Sequence, residues 1–413
     1  MGLVYDAGIA LYNALAILMS PFSDKARLWV KGRRDWYPKL VEGVDPKARN
    51  IWIHAASLGE FEQGRPVIEK IRSEMPDHRI ILTFFSPSGY EIRKDYRGAD
   101  FVSYLPPDTR SNAKSFVDAV NPVIVIFIKY EFWNNYISEV GRRQIPFYLI
   151  SAIFRSGQPF FKWYGGFFRA MLLRFTHIFV QDRPSADLLK GLGMANVTVA
   201  GDTRFDRVAA IAESAGEIHE IEQFRAGEKL FLAGSSWKPD EEIMADYINR
   251  NPDRMKWLFA PHETDRPNID RLVKLFRTKV VRLSEFKESD TDARVMIIDS
   301  IGLLSSAYRY AFIAGVGGGF GKGIHNILEA ACWGIPVMFG PNYGKFREAV
   351  DLINQNGAKT FKSSEEFSSV LDGWLSDDAF YLKSAKTASL YVSKNTGATS
   401  IILSVIREKD INF

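Results

Sequence analysis

Short apolar runs alternate with longer amphipathic stretches along the whole chain. Up to residue 202 the runs read NIWIHAA, RIILTFF, VIVIFIKY, PFYLISA, HIFVQD and VTVAGD; after residue 206 the pattern restarts with LFLAGSS, KWLFAPH, VMIIDS, YAFIAGV and IPVMFG. Each run is rich in β-branched and aromatic residues and ends in a turn before a helical stretch. Strands of this kind, separated by helices, predict parallel sheets covered by helices on both faces. The expected fold class is therefore α/β, with two doubly wound, Rossmann-like domains. The stretch RVAAIAESAGEIHEIEQFRAGEK, from Arg207, is charged and rich in Ala and Glu, and reads as a helical join between them. The boundaries expected are 1–21 for an N-terminal helix, 22–205 for the first domain and 206–413 for the second, the C-terminal helices included.

Residues 3–19, LVYDAGIALYNALAILM, are mostly apolar, and the bases follow them: Lys25, Arg27, Lys31, Arg33 and Arg34. A secretory signal carries its charge before the apolar run and ends in a small-residue cleavage site, and neither is seen. The run is shorter than the ~20 residues of a spanning helix, and Asp6 interrupts it. It reads as a marginal span, an in-plane anchor with a basic cytoplasmic flank, or a helix docked on the protein's own core. The segment 154–175, FRSGQPFFKWYGGFFRAMLLRF, interleaves aromatics with Arg155, Lys162, Arg169 and Arg174. It suits stacking on single-stranded nucleic acid, a membrane interface, an acyl chain or a buried aromatic face; the apolar N-terminus favours the membrane over nucleic acid.

Composition narrows the chemistry. The 413 residues suit two domains, and a net charge of +4 is too small to argue for nucleic acid. The single cysteine, Cys332, excludes an internal disulfide and fits a reducing compartment. Six histidines without paired spacing make a zinc centre an unlikely expectation.

The chemistry-bearing residues cluster where strands end, which in doubly wound sheets is where ligands bind. Ser57 and Glu60, in SLGE, have the S-x-x-E spacing of a helix capping box, yet sit where a base would stand. Glu131 follows VIVIFI directly. In GDTRFD, Arg204 lies between Asp202 and Asp206, either as a local ion pair or as a cation aimed at a phosphate or carboxylate. GVGGGFGKGIHNILEA, at 315–330, departs from the P-loop and from G-x-G-x-x-G, but its glycines and the helix expected near Asn326 suit a phosphate or ribose. Asn326 and Glu329 equally match N-cap and N3. Two such units facing each other predict one central cleft.

Together HAASLGE, TFFSPSGYE, YLPPD, EFW, GDTRFD and GIHNILEAACWGIPVMFGP, in this order and spacing, resemble the Kdo transferases of Gram-negative bacteria. The resemblance covers nearly the whole chain. It implies a two-domain glycosyltransferase of GT-B type with an N-terminal membrane-anchoring helix, on the cytoplasmic face of the inner membrane. It implies inverting transfer of 3-deoxy-D-manno-octulosonic acid (Kdo) from CMP-Kdo to a lipid A precursor, without a divalent metal or other cofactor. The partners implied are CMP-Kdo, the lipid A precursor and inner-membrane lipids, with no nucleic acid. Glu60 matches the family's general base, and Glu131 and Arg204 match residues that support the transition state. Pro261 and His262, Ile301, Gly302 and Leu303, and Asn326, Ile327, Leu328 and Glu329 match the stretches that hold CMP. Three positions depart from the family pattern: Arg204 for a frequent Lys, His262 for a frequent Arg, and Lys129 for a frequent acid. The nearest alternative is a GT-B transferase or an epimerase that uses a UDP-sugar; outside enzymes, the alternatives are a two-lobed solute-binding protein and a membrane-surface scaffold.

Overall fold

The apolar runs form two sheets in the computed structural model, which describes residues 2–409. The first unit contains β1 (Arg49–Ala55), β2 (His78–Phe84), β3 (Phe101–Tyr104), β4 (Pro122–Ile128), β5 (Phe147–Ala152), β6 (His177–Val180) and β7 (Val197–Val199). They pair in the order β3-β2-β1-β4-β5-β6-β7, each pair parallel. The second unit contains β8 (Leu230–Ser236), β9 (Lys256–Pro261), β10 (Val280–Arg282), β11 (Val295–Ile297), β12 (Ile313–Val316), β13 (Val337–Phe339) and β14 (Ala358–Thr360). Their order is β10-β11-β9-β8-β12-β13-β14, again parallel.

The absence of polar alternation now has its cause. In β1, Ile51 and Ile53 enter one apolar layer with Ile80, Leu82, Ile124 and Ile126, while Trp52 enters the opposite layer with Ile81, Val125 and Phe127. Both faces are covered, so Ile51, Trp52 and Ile53 are apolar in succession. Burying each such side chain contributes about 1.5–3 kcal/mol. The three strands without a strong apolar run, β3, β10 and β14, are all short edge strands. An edge strand shares its ladder on one side only and needs less apolar surface.

The described residues up to Asp206, together with those from Gly397 onward, form one compact unit; residues 207–396 form the other. This differs from the expected 206–413 for the second domain. The last helix, Ala398–Lys409, puts Ile402, Leu403 and Ile406 into the core of the first sheet. Asp206 anchors it there, accepting from the amides of Gly397 and Thr399 at 2.5 and 2.6 Å. The C-terminal GATSIILSVI pattern shows an apolar helical face but carries no mark of which sheet covers it.

The N-terminal apolar run is a helix, Gly2–Met19, none of whose residues is fully buried. One flank is nevertheless tied to the first unit. The Tyr5 hydroxyl donates to Asp108 (2.5 Å), Asn135 Nδ2 donates to Asp6 (3.0 Å), and Tyr12 packs edge-on against Trp29. Leu3, Val4, Leu11, Leu15, Ile17, Leu18 and, just beyond, Phe22 are exposed.

Candidate active site

The strand order reverses between β1 and β4 in the first unit and between β8 and β12 in the second. Such a switch point leaves an open crevice at the carboxyl ends of the strands. The candidate residues gather at these two places.

In the first unit, helix Leu58–Glu74 begins directly after β1 and carries Glu60 in its first turn. Gly64, one turn later, lies so close to Ile128 at the end of β4 that any side chain there would overlap it. This close approach brings Glu60 beside the loop after β4. Lys129 opens that loop in the left-handed region (φ +69°), a strained conformation for a lysine. Glu131 follows, nearly buried. One of its oxygens, Oε2, accepts from His54 Nε2 at 2.9 Å and from Trp133 Nε1 at 2.6 Å. Trp133 is itself stacked on Phe85, with ring centroids 4.6 Å apart.

Glu60 makes only half of the capping box. Its Oε2 accepts from the Ala56 amide at 2.6 Å, but the Ser57 side chain makes no reciprocal bond to the helix. Burial, reinforced by the charge of Glu131, pushes the Glu60 carboxyl up to about 7, against the opposing pull of the Ala56 amide and Lys129. A cap gains from being ionised; a carboxyl poised near neutrality is suited to taking up a proton.

GDTRFD turns out to be largely a set of ties. Arg204 is gripped by Asp202, with Nη2 at 2.7 Å and Nε at 2.9 Å from Oδ2. The Thr203 hydroxyl donates to the Gln63 carbonyl on the helix that carries Glu60. Asp206 holds the last helix, as above.

In the second unit, the rings of Trp237, His262 and His325 form a stack after β8, β9 and β12. His262 lies 4.6 Å from each of the other two, and Trp237 Nε1 donates to His325 Nε2 at 2.9 Å. Burial, with the neighbouring His262, pushes the His325 imidazole down to about 4. Asp240 ties the glycine-rich loop to this corner, accepting from the amides of Gly318 and Trp237, each at 3.0 Å. Gly317 lies against the backbone of Ser235 and Ser236 with no room for a Cβ. The helix expected from Asn326 is one short turn, Leu328–Ala331. Asn326 Oδ1 accepts from the Leu328 amide at 3.2 Å, and its amide group donates to Glu329 at 3.1 Å. The other Glu329 oxygen accepts from Ser305 Oγ at 2.5 Å, which links 326–329 to the loop containing Ile301–Leu303. Among the described residues, no three His, Cys, Asp or Glu side chains converge as a metal site.

Known proteins resemble this chain in sequence and in fold. The 3-deoxy-D-manno-octulosonic-acid transferase (kdotransferase) family model matches residues 30–207, the span that carries Glu60, Glu131 and Arg204. The chain is 28% identical over 314 residues to the 3-deoxy-D-manno-octulosonic acid transferase of Aquifex aeolicus, covering 75% of this chain and 80% of that protein. It is 26% identical over 368 residues to the enzyme of the same name from Rickettsia bellii, covering 86% and 87%. The chain is similar to the Kdo transferases, over residues 30–207 by the family model and over most of its length by these relatives. That likeness makes it a glycosyltransferase. A UDP-GlcNAc 2-epimerase from Neisseria meningitidis superimposes with a TM-score of 0.61 over 87% of this chain and all of that one, at 16% identity, which shows a shared GT-B-type fold and nothing further.

The structure brings Glu60 and Glu131 together and seats Arg204 against Asp202. Pro261 ends β9, and His262 is exposed within the ring stack. Ile301 is 90% exposed, and Gly302 turns the chain at φ +101°. Ile327 and Leu328, by contrast, are core residues with 0% exposure, so only their backbone can meet a ligand. Sequence reasoning missed His54, Thr83, Trp133, Trp237 and Asp240. His54 lay in plain view in HAASLGE, but its partner Glu131 stands 77 residues away, a contact that only the β1–β4 pairing creates.

Proposed function

We propose that this enzyme moves Kdo from CMP-Kdo to a lipid A precursor of the lipid IVA type, with inversion at the anomeric carbon. Glu60 is the general base. It takes the proton of the acceptor hydroxyl as that oxygen bonds to the anomeric carbon, and the bond from that carbon to the CMP phosphate breaks. Glu131 and Arg204 support the developing charge, with Arg204 oriented by Asp202. CMP leaves as a phosphate monoester, and backbone amides of the 301–303 and 326–329 segments with the glycine-rich loop meet its charge without a divalent metal. Ile327 contributes through its amide and Leu328 by fixing Asn326, while Asn326 and Glu329 contribute side chains. The observation that carries this reading is the buried carboxyl of Glu60, raised to about 7 beside a second carboxylate at the β1–β4 switch point.

The acceptor's acyl chains place the enzyme at the cytoplasmic face of the inner membrane. The exposed apolar flank of helix Gly2–Met19, with Trp163 93% exposed and Tyr164 and Leu173 also outside, supports contact with the bilayer. That Tyr5, Asp6 and Tyr12 are held by the protein supports a helix lying in the interface plane over one that crosses it. The test is incubation with CMP-Kdo and a tetraacylated lipid A precursor, reading the product mass. A gain of one or more Kdo residues is expected. Product from a UDP-sugar but not from CMP-Kdo would refute the assignment.

A further inference from the structure

A hydrogen-bonded chain of three side chains, Trp52, Thr83 and His54, lies beneath Glu131. Trp52 Nε1 donates to Thr83 Oγ1 at 2.8 Å. His54 Nδ1 stands 2.9 Å from that hydroxyl and 3.1 Å from the Thr83 carbonyl. On the other side of the ring, Nε2 lies 2.9 Å from Glu131 Oε2, so both ring nitrogens are held by fixed partners. His54 is 0% exposed and packs against Phe127, so it touches no solvent and has no route to substrate. Burying an imidazole costs desolvation, which its bonds at both nitrogens offset, and those bonds fix the ring against Glu131.

We propose that His54 is a positioning residue: through the Trp52–Thr83–His54 chain it clamps Glu131 so that the carboxylate charge is held against Glu60. This deepens the reading of Glu60 as general base and rests on it. Trp133 supplies the second tether, from the opposite side. The charged or titratable groups that face Glu60 are Glu131 and Lys129 after β4, with the Tyr130 phenol nearby; His54 faces Glu131 from β1. Of these, Glu131 raises Glu60 and Lys129 lowers it, so the balance depends on where Glu131 is held. Without the His54 N–H, Glu131 keeps only the Trp133 bond and its charge is no longer fixed toward Glu60.

The test compares His54→Phe, which has no donor, with His54→Gln, whose amide can still donate. In His54→Phe, kcat should fall at least ~10-fold with the KM for CMP-Kdo little changed, and the acidic limb of the pH–rate profile should move down by roughly half a unit or more. His54→Gln should restore the limb and most of the rate. The double variant His54→Phe/Glu131→Gln should lose no more than Glu131→Gln alone, because both act through one group. The same shift should be seen without any turnover, by following Glu60 with carboxyl-labelled glutamate in NMR titrations. That measurement separates the two claims: a wild-type chain that transfers no Kdo refutes the function, while the Glu60 titration still decides the clamp. If His54→Phe fails to fold, Thr83→Val removes the hydroxyl that holds His54 Nδ1 and should move Glu60 in the same direction. A His54→Phe enzyme, or a folded Thr83→Val enzyme in its place, in which Glu60 titrates as in wild type overturns the proposal.

Discussion

Glu60 is stabilised as an acid, and that has a cost in stability which can be measured. Its carboxyl is raised from 4.5 in the unfolded chain to about 7 in the folded protein by burial and by Glu131. Between those values the folded state binds more protons than the unfolded one, so this group's contribution is full below pH 4.5 and is lost as pH rises through 7. Glu60→Gln, which removes the charge and keeps an oxygen to accept from Ala56, should therefore melt higher than wild type at pH 8, by an amount on the order of 1 kcal/mol or more, and equally at pH 4. Thermal melts at both pH values check this. A pure cap would give the reverse, a loss of ~1 kcal/mol at pH 8. At this scale the sequence was only partly legible. S-x-x-E declares a helix start, and the start is where it was expected. Whether the glutamate serves the helix or the reaction depends on its like-charged neighbour 71 positions on. Arg204 and Asp206 show the same limit: GDTRFD looks like one charged cluster, but its two acids hold different things, a guanidinium and a remote helix.

Elements, in this chain, are held by side chains that come from outside them. YLPPD is an example. Asp108 accepts from the amides of Asn135 and Tyr136, each at 3.0 Å, and so caps helix Asn134–Arg142, the helix that follows Glu131. Its remaining partner is the Tyr5 hydroxyl of the N-terminal helix. Tyr5→Phe should cost about 1–2 kcal/mol by leaving a buried carboxylate short of one donor, with the CMP response of the second unit unchanged; a melting curve with and without CMP reads both. In the second unit, Asn326→Ala removes both the bond to the Leu328 amide and the bond to Glu329, and should abolish most of the melting shift given by CMP. UMP giving an equal or larger shift in wild type would point instead to a UDP-sugar donor. The long buried strands were legible because both their faces are apolar. The edge strands β3, β10 and β14 were not, because their positions are set by neighbours instead of by a pattern of their own; the helix expected near Asn326 is there but only one turn long.

As a whole, the molecule presents an apolar helix flank beside bases, and the two respond differently to salt. The basic flank, Lys25 to Arg34, gains ~1 kcal/mol per exposed base near an anionic surface, and salt screens it; Arg33, however, is buried among Trp29, Phe85 and Tyr104 and does not contribute. The apolar flank is not screened. The full-length enzyme should therefore stay on membranes in high salt and leave with detergent, whereas a chain lacking residues 1–20 should leave with salt alone. Sedimentation of membranes after each wash measures this. The central claim, that Glu60 takes the acceptor's proton, is tested most directly by single-turnover transfer from CMP-Kdo to a tetraacylated lipid A precursor across pH 5–9, with wild type and Glu60→Gln side by side. The wild-type rate should rise through pH 7, where Glu60 titrates, and Glu60→Gln should lose at least ~10²-fold at every pH above that while binding CMP-Kdo as before. A Glu60→Gln enzyme that transfers Kdo at close to the wild-type rate would contradict it.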